Sequence, residues 1–319
     1  MDAENLDMGL SNSEFVEKTP SPFIEGTCIQ YAVDATSLDY AKRCAQLYKF
    51  KMIDGWASAE EDIHLRWGSE MHLAFHNYEL LRADGIEHDE SVFHVIRELL
   101  YHTEGWNPEH KYKNKAFLIR SVIRYLDAYQ NDPAVTVKLA NGKPASEVSF
   151  RYELDYGPVE GQPYVLCGHL DRVVNFNDEV FFMDHKSSTT TPSDWYWNQF
   201  HPHNQMTMYV LACRVIFQTN IKGGIINAVQ LLMDDTRVTR RSTYRTNEEL
   251  EEWLVDLKYW LGLMKKWADD NYWPKNDTAC DKYGGCKFRE ICNKSPSVRE
   301  KFLKSNFVKA EPWNPLKSR

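Results

Sequence analysis

Residues 168–188 read Gly168-His-Leu-Asp171-Arg-Val-Val-Asn-Phe-Asn-Asp178-Glu-Val-Phe-Phe-Met-Asp184-His-Lys186-Ser-Ser188. Residues two apart in a strand share a face. Val180, Phe182, Asp184 and Lys186 therefore point one way, with Asp184 and Lys186 roughly 7 Å apart at about 3.3 Å per residue. Asn177-Asp178 reads as a turn, so two strands, Tyr164–Asn175 and Val180–Ser187, pair around it and bring Asp171 alongside Asp184. Two carboxylates beside one ammonium are costly on a buried sheet face unless a cation lies between them. Carboxylate oxygens are the ligands Mg²⁺ and Mn²⁺ prefer. A lysine beside them can activate water or stabilise charge developing on a phosphate. A surface hairpin with one ion pair would show the same spacing.

Outward from this hairpin, Glu147–Leu154 reads as a third strand. Helices are predicted over Ser37–Lys51 with Ser37 as N-cap, Glu61–Ala83, Ser91–His102 and Asn114–Tyr129. After the hairpin come a helix at His203–Phe217, strands at Gly224–Met233 and Val238–Arg245, and a helix at Asn247–Asp270. Thr246 and Glu249 have capping-box spacing there. This order predicts an α/β core with a helical flank. Residues 1–30, polar and with Pro20 and Pro22, read as a weakly ordered arm.

The 319 residues carry 43% hydrophobic and 26% charged side chains and a net charge of −8. That is a folded globular composition, and it argues against a protein that simply coats nucleic acid. No apolar run approaches the roughly 18 residues of a membrane span, and no secretory signal is visible, so a cytoplasmic protein is expected. The seven cysteines are then not expected to form disulfides.

Three further features bear on the hairpin. Gly68 and His72 lie one turn apart on the long helix; a small Gly68 would let that helix approach the sheet, and His72 could supply an imidazole ligand. His72 and His76 are also spaced i, i+4, but Leu73 follows the first histidine where a zinc protease needs Glu. Gln205 and Tyr209 are again i, i+4; Gln205 could orient Lys186 or a phosphate and Tyr209 could touch a nucleic-acid backbone. Glu147 reads as an outer acid. For each, ordinary packing or surface decoration is the alternative.

Gly-x-x-x-His, Gly-x-x-Asp, Asp-x-Lys and Gln-x-x-x-Tyr, in this order from Gly68 to Tyr209, resemble the RecB-like branch of the PD-(D/E)XK nuclease superfamily. The resemblance spans about Cys44 to Cys292. It implies a restriction-endonuclease-like mixed central sheet flanked by helices, with a helical N-terminal portion. It implies that His72, Asp171, Asp184 and the carbonyl of His185 bind a divalent metal, Mg²⁺ or Mn²⁺. It further implies that Lys186 is the catalytic lysine and that Gln205 and Tyr209 are its accessory pair.

Cys280, Cys286 and Cys292 are separated by five residues each, and Gly284-Gly285 gives the chain between them freedom to wrap a metal. Three thiolates need a fourth ligand, for which Cys44 is the best candidate. The CRISPR adaptation nucleases and AddB-type nucleases of the same branch carry one cysteine before the core and three after it, holding a [4Fe–4S] cluster. Those relatives commonly have two residues between the first pair of late cysteines, so a Cys₄ zinc site stays open beside the iron–sulfur reading. Either would join the N- and C-terminal parts.

Arg237, Arg240, Arg241 and Arg245 on the last hairpin, Lys42, Arg43, Lys49 and Lys51 around Cys44, and a basic tail from Lys294 could offset the negative charge locally. Basic residues interleaved with aromatics such as Tyr244 suit single strands; an edge strand protected by charge and a solvated tail are the equal alternatives, and Trp195 and Trp197 either stack on bases or cover the core. The expectation is one nuclease domain over residues 31–292, with a helical insertion at about 84–135, and a basic tail over 293–319. Its expected activity is metal-dependent cleavage of DNA, as an exonuclease on ends or single strands in recombination, repair or phage DNA processing. A helicase or recombinase is an expected partner and a membrane is not. The rival is a non-catalytic DNA-binding or assembly subunit with a structural metal cluster.

Overall fold

Ile29, Ala32 and Val33 are apolar and buried, and they start the fold as the short strand β1 (Ala32–Val33). In the computed structural model, which describes residues 19–311 and 313–318, Asp34 then turns the chain into α1 (Ala35–Arg43). The N-cap is Asp34 rather than Ser37: its carboxylate accepts the Ser37 N–H at 2.8 Å. Placing the cap three residues earlier satisfies a helix-start donor that Ser37 would have left open. The helix also does not run through to Lys51. Cys44 is extended, and α2 (Ala45–Tyr48) and a π turn at Lys49–Ile53 follow it, then β2 (Trp56–Ser58).

Three helices come next, α3 (Ile63–Ala83), α4 (His88–His102) and α5 (Lys115–Ala128). Their facing stripes, including Trp67, Met71, Phe75, Leu99, Leu118 and Val122, form one core layer with Val229 and Leu231 of the sheet. The chain then enters β3 (Val135–Thr136), β4 (Ser146–Glu153), β5 (Val165–Phe176) and β6 (Glu179–Ser188). Asn177 and Asp178, with φ of 52° and 61°, make the β5–β6 turn; both central residues are left-handed, which matches the twist of a tight hairpin.

After α6 (Asp194–Asn198) and α7 (Asn204–Phe217) come β7 (Gly223–Leu231), β8 (Thr236–Tyr244) and α8 (Asn247–Asp269). The Thr246–Glu249 capping box is present. Two 3-10 turns at Asp277–Ala279 and Lys282–Gly284 lead to α9 (Arg289–Cys292), α10 (Pro296–Asn306) and β9 (Phe307–Lys309).

The central sheet is seven-stranded and mixed, in the order β1-β5-β6-β7-β8, with β3 and β4 also on β5. Pairing at Val165–Leu166 by both β1 and β4, and at Val174–Asn175 by both β3 and β6, puts β3 and β4 on one edge of β5 and β1 and β6 on the other. β6 runs parallel to β7, with Asp184 opposite Ile226 and Lys186 opposite Ala228. Phe182, Ile226 and Ala228 pack under α1, α7 and α8, so the Asp184–Lys186 face looks to that layer while α3–α5 cover the other.

The described parts of both terminal regions pack on the rest of the chain. Residues 1–18 of the expected arm lie outside the described residues. From there on, Phe23 bridges Gln30, and buried Gln30 accepts the Tyr48 hydroxyl proton at 2.7 Å. The expected basic tail folds back as α10 and as β9, which pairs antiparallel with β2. Leu47, Phe50, Trp56, Phe288, Ile291 and Leu303 form a small core there, apart from the sheet. No helix among the described residues is long and apolar enough to cross a membrane.

Candidate active site at the parting of two strands

β5 and β6 pair only from Phe176–Glu179 to Arg172–Met183. Past that point β6 stays with β7, and residues 167–171 of β5 have no strand partner on that edge among the described residues until β1 takes it at Leu166. Asp171 stands where the two strands part. Its Oδ2 accepts the backbone N–H of His185 at 2.8 Å, in place of the next ladder bond. The carboxylate is thus held by the main chain of β6, and the strands stay open beyond it.

The cavity that results, 180 Å³, is lined by His72, Asp171, Asp184, Lys186, Gln205 and Tyr209 among others. Every side chain the sequence reading assigned to the metal and catalytic site meets here. His72 reaches in from α3: its Nδ1 is 3.3 Å from Asp171 Oδ1 and its Nε2 is 3.1 Å from the His185 carbonyl oxygen. Lys186 Nζ donates to Asp184 Oδ1 at 2.9 Å and to Gln205 Oε1 at 3.2 Å, and Gln205 Nε2 donates to the Tyr209 hydroxyl at 3.0 Å. One polar chain therefore links β6 to two turns of α7.

Two glycines differ in their use. A Cβ on Gly168 would lie 2.6 Å from the Phe150 ring and 3.2 Å from the Tyr209 ring, so its hydrogen is what lets Tyr209 lie over the strand. A Cβ on Gly68 would meet nothing within 4 Å. The expected close helix approach at Gly68 is not made; α3 meets the sheet through Phe75 and its neighbours.

Glu147 is more central than the sequence reading allowed. It sits at φ 50° on β4, and the ladder steps over it, from Ser146↔Arg172 to Val148↔Leu170. A left-handed non-glycine residue of this kind is strained. Its Oε1 lies 3.8 Å from His72 Nδ1, and ligand atoms of His72, Glu147 and Asp171 all fall within 4.8 Å of one another. Strand alternation could not signal this, because the residue departs from the alternation.

The electrostatics follow from burial and crowding. Burial opposes charge on His72, but Asp171 and Glu147 outweigh it and raise its pKa to about 10. Asp171 is disfavoured by burial, yet His72, His185 and Lys186 pull it well below the usual carboxylate range. Asp184, 1% exposed, is pushed up to about 6 by burial and by Asp171, against the pull of Lys186. Burial disfavours the Lys186 ammonium, but Asp184 and Asp171 hold it protonated. Opposed shifts of this kind within one cleft make it a candidate functional site. Asp184 Oδ2 lies 2.7 Å from Lys186 Nζ but receives no well-directed hydrogen bond. An imidazole, buried carboxylates and a peptide carbonyl are a donor set that fits a hard divalent cation.

His185 contributes through its main chain. Its ring is buried edge-on to Phe75 and Tyr125, and burial pushes its pKa down to about 3. His76 bonds Ser146 at 2.9 Å.

The basic hairpin differs from expectation. Arg240 makes two 2.6 Å bonds to Asp132, and buried Arg245 donates to Phe200 O and Thr207 Oγ1. Arg241 pairs with Asp194 at 2.8 Å. These three guanidiniums bind the fold to itself. Trp197 is tied to Pro192 O, and Trp195 is exposed.

Cys44, Cys280, Cys286 and Cys292 line a second cavity, of 290 Å³, against the small core. Gly285, at φ 97°, turns the chain so that Cys286 N–H bonds Cys280 O at 2.8 Å. Asn276 N–H reaches Cys44 Sγ at 3.4 Å.

A model of the PD-(D/E)XK nuclease superfamily matches residues 33–293, which takes in both cavities' named residues. No curated protein matches the chain. Among solved structures, one named "Putative exonuclease" from Eubacterium rectale is 13% identical, with 79% of this chain and 86% of that chain covered and a TM-score of 0.47. The structure of SSO0001 is 15% identical, with 71% and 76% covered and a TM-score of 0.30.

Proposed function

This chain belongs to the PD-(D/E)XK nuclease superfamily, and on that premise we propose that it is a divalent-metal-dependent deoxyribonuclease, an exonuclease acting on DNA ends or single strands. The observation that carries this reading is the cleft in which His72 and Asp171, two of the three groups of the His72–Glu147–Asp171 donor set, stand beside the Asp184–Lys186–Gln205–Tyr209 chain. His72, Asp171, Asp184 and the His185 carbonyl would hold Mg²⁺ or Mn²⁺, with Glu147 close enough to join them. When bound, the cation lowers the pKa of a water and offsets charge on the scissile phosphate.

The chain's own groups do the rest. Lys186, protonated and fixed by two acceptors, presents a hydrogen-bond donor to oxygen on which charge develops. Gln205 holds that ammonium at its second acceptor, and Tyr209 fixes the Gln205 amide. Packed edge-on against Phe150 and Phe182, Tyr209 is itself immobile. Asp171 is anchored on the His185 N–H as well as on His72.

We also assign a [4Fe–4S] cluster to Cys44, Cys280, Cys286 and Cys292. In support, the four line one cavity against the small core, and one of them stands before strands β3–β8 of the sheet and three after them. Anaerobically purified protein should be coloured and carry iron and sulfide; a colourless protein with stoichiometric zinc would reverse the assignment and leave the cleft untouched.

The activity is tested with end-labelled linear and circular single-stranded DNA in Mn²⁺. Wild type should degrade the linear strand and spare the circle, and Lys186→Ala should lose at least about a hundredfold in rate. Cutting of the circle would make the enzyme an endonuclease. A wild type inert on both would favour the non-catalytic subunit.

A further inference from the structure

Trp313 lies beyond the segment that the family model matches, yet it lines the same cavity as Asp184, Lys186 and Gln205. The chain is brought back to this point by several anchors. Leu316 is buried against Ala32, Val165 and Cys167. Arg151 donates to the Leu316 carbonyl, and Asn314 Nδ2 donates to Pro20 O at 2.8 Å. Trp313 Nε1 donates to Asp34 Oδ2 at 3.0 Å. The other oxygen of Asp34 is taken by the Ser37 N–H as the cap of α1. The indole is thus held by its edge at one rim of the gap that β5 leaves between β1 and β6.

The cavity's described lining has two large aromatic rings. Tyr209 is 6% exposed and closed in by Phe150, Phe182 and Gly168. Trp313 is 38% exposed. A large apolar ring left open beside acids and a lysine gives the site two chemistries. The carboxylates and ammonium suit a phosphate, and the indole suits the flat face of a base. Stacking of this kind needs a base free of its own neighbours, because a base inside a duplex is already covered on both faces.

We propose that Trp313 is a substrate-positioning residue that stacks on an unpaired base next to the scissile phosphate, so that the cleft takes single-stranded nucleic acid. The proposal rests on the nuclease reading and refines it. Holding the ring by its N–H costs the substrate little ordering, since the ring is already placed when the strand arrives.

The test is an abasic scan. Single-stranded 12-nucleotide DNA carrying one abasic site, moved position by position, is titrated into the full chain with Ca²⁺ in place of Mn²⁺, and binding is read by anisotropy. In wild type one position should weaken binding about fivefold or more. Trp313→Leu should bind the intact strand more weakly and show a flat profile at that position. Trp313→Phe keeps a ring but loses the bond to Asp34; it should keep the dip even where its melting temperature falls, which separates stacking from capping. A dip unchanged in Trp313→Leu, or a flat wild-type scan alongside intact cleavage of DNA, would overturn this inference alone. No binding and no cleavage of any strand would overturn it together with the nuclease reading.

Discussion

The cleft at the parting of β5 and β6 and the cysteine cavity near the chain ends are both candidate metal sites, but they are built differently. In the cleft, Asp171 and Asp184 stand on strands of 12 and 10 residues, each paired with neighbours on the sheet. The cysteines stand on a helix break, on or beside two three-residue turns, and at the end of a four-residue helix. What holds those short pieces is the Phe50–Phe288–Phe307 stack and the β2–β9 pair. Strands set ligand positions before any metal arrives; short turns leave more of that work to the metal. Loss of the cation from the cleft should therefore cost activity, and loss of the cluster should cost local structure.

The sharpest way to break this contrast is through the frame of the cleft. Asp132 receives two bonds from Arg240 and one from Arg172, joining β8 to β5 just past the split. Asp132→Ala should cost about 3 kcal/mol in urea unfolding, because half-buried Arg240 loses its carboxylate partner, while Arg172 keeps Glu79 and the Ala134 carbonyl. Burial works against the Asp132 carboxylate, but both arginines depress its pKa below the usual value. Its contribution to stability is therefore complete above the unfolded carboxylate range and is lost as pH falls through the depressed pKa, so the variant's acid unfolding should be flatter than wild type's.

Lys186→Ala comes next, with a loss of at least about a hundredfold in kcat, or about 2.7 kcal/mol, and a melting temperature that barely moves. A large fall in melting temperature would show that the cleft depends on its ion pair to fold. For the other region, Cys286→Ser should remove bound iron and drop amide protection over 277–309 in hydrogen exchange, while the strands keep theirs. Uniform loss across both regions would erase the distinction. The smallest effect is a titration. Asp184 must give up a proton held up to about 6 before it can take a cation. His72, also a proposed ligand, must lose a proton held up to about 10, so calorimetric Mn²⁺ affinity should already fall with pH above about 6 and should steepen by a further factor of about ten per pH unit below about 6; no steepening there would remove Asp184 from the ligand set.

Much of the cleft could be read from strand parity. Asp184 and Lys186 follow from a period of two, and the 177–178 turn and the Thr246 cap follow from local chemistry. Gln205 and Tyr209 were paired by helix spacing. What could not be read depends on partners far along the chain. The halt of the β5–β6 ladder comes from Asp171 capturing a main-chain donor, which no residue pattern encodes. Glu147 leaves the alternation that would have revealed it. Asp34 replaces Ser37 as a cap and meets Trp313, 279 residues away. Arg240 and Arg241 of β8 could be read as a nucleic-acid surface because their counter-charges, Asp132 and Asp194, lie far from them in sequence.

His185 leaves a last consequence. Its amide hydrogen steadies Asp171 and its carbonyl faces His72, and the imidazole takes part in neither contact. Genes specify side chains and leave the peptide link alone, so codon replacement at this position would report on the ring, its fit beside Phe75 and Tyr125 and its pull on Asp171, and not on the peptide group. An alanine survey of the cleft would score the ring alone. Only backbone chemistry, such as an amide-to-ester exchange made by semisynthesis, could expose a working part that mutagenesis passes over.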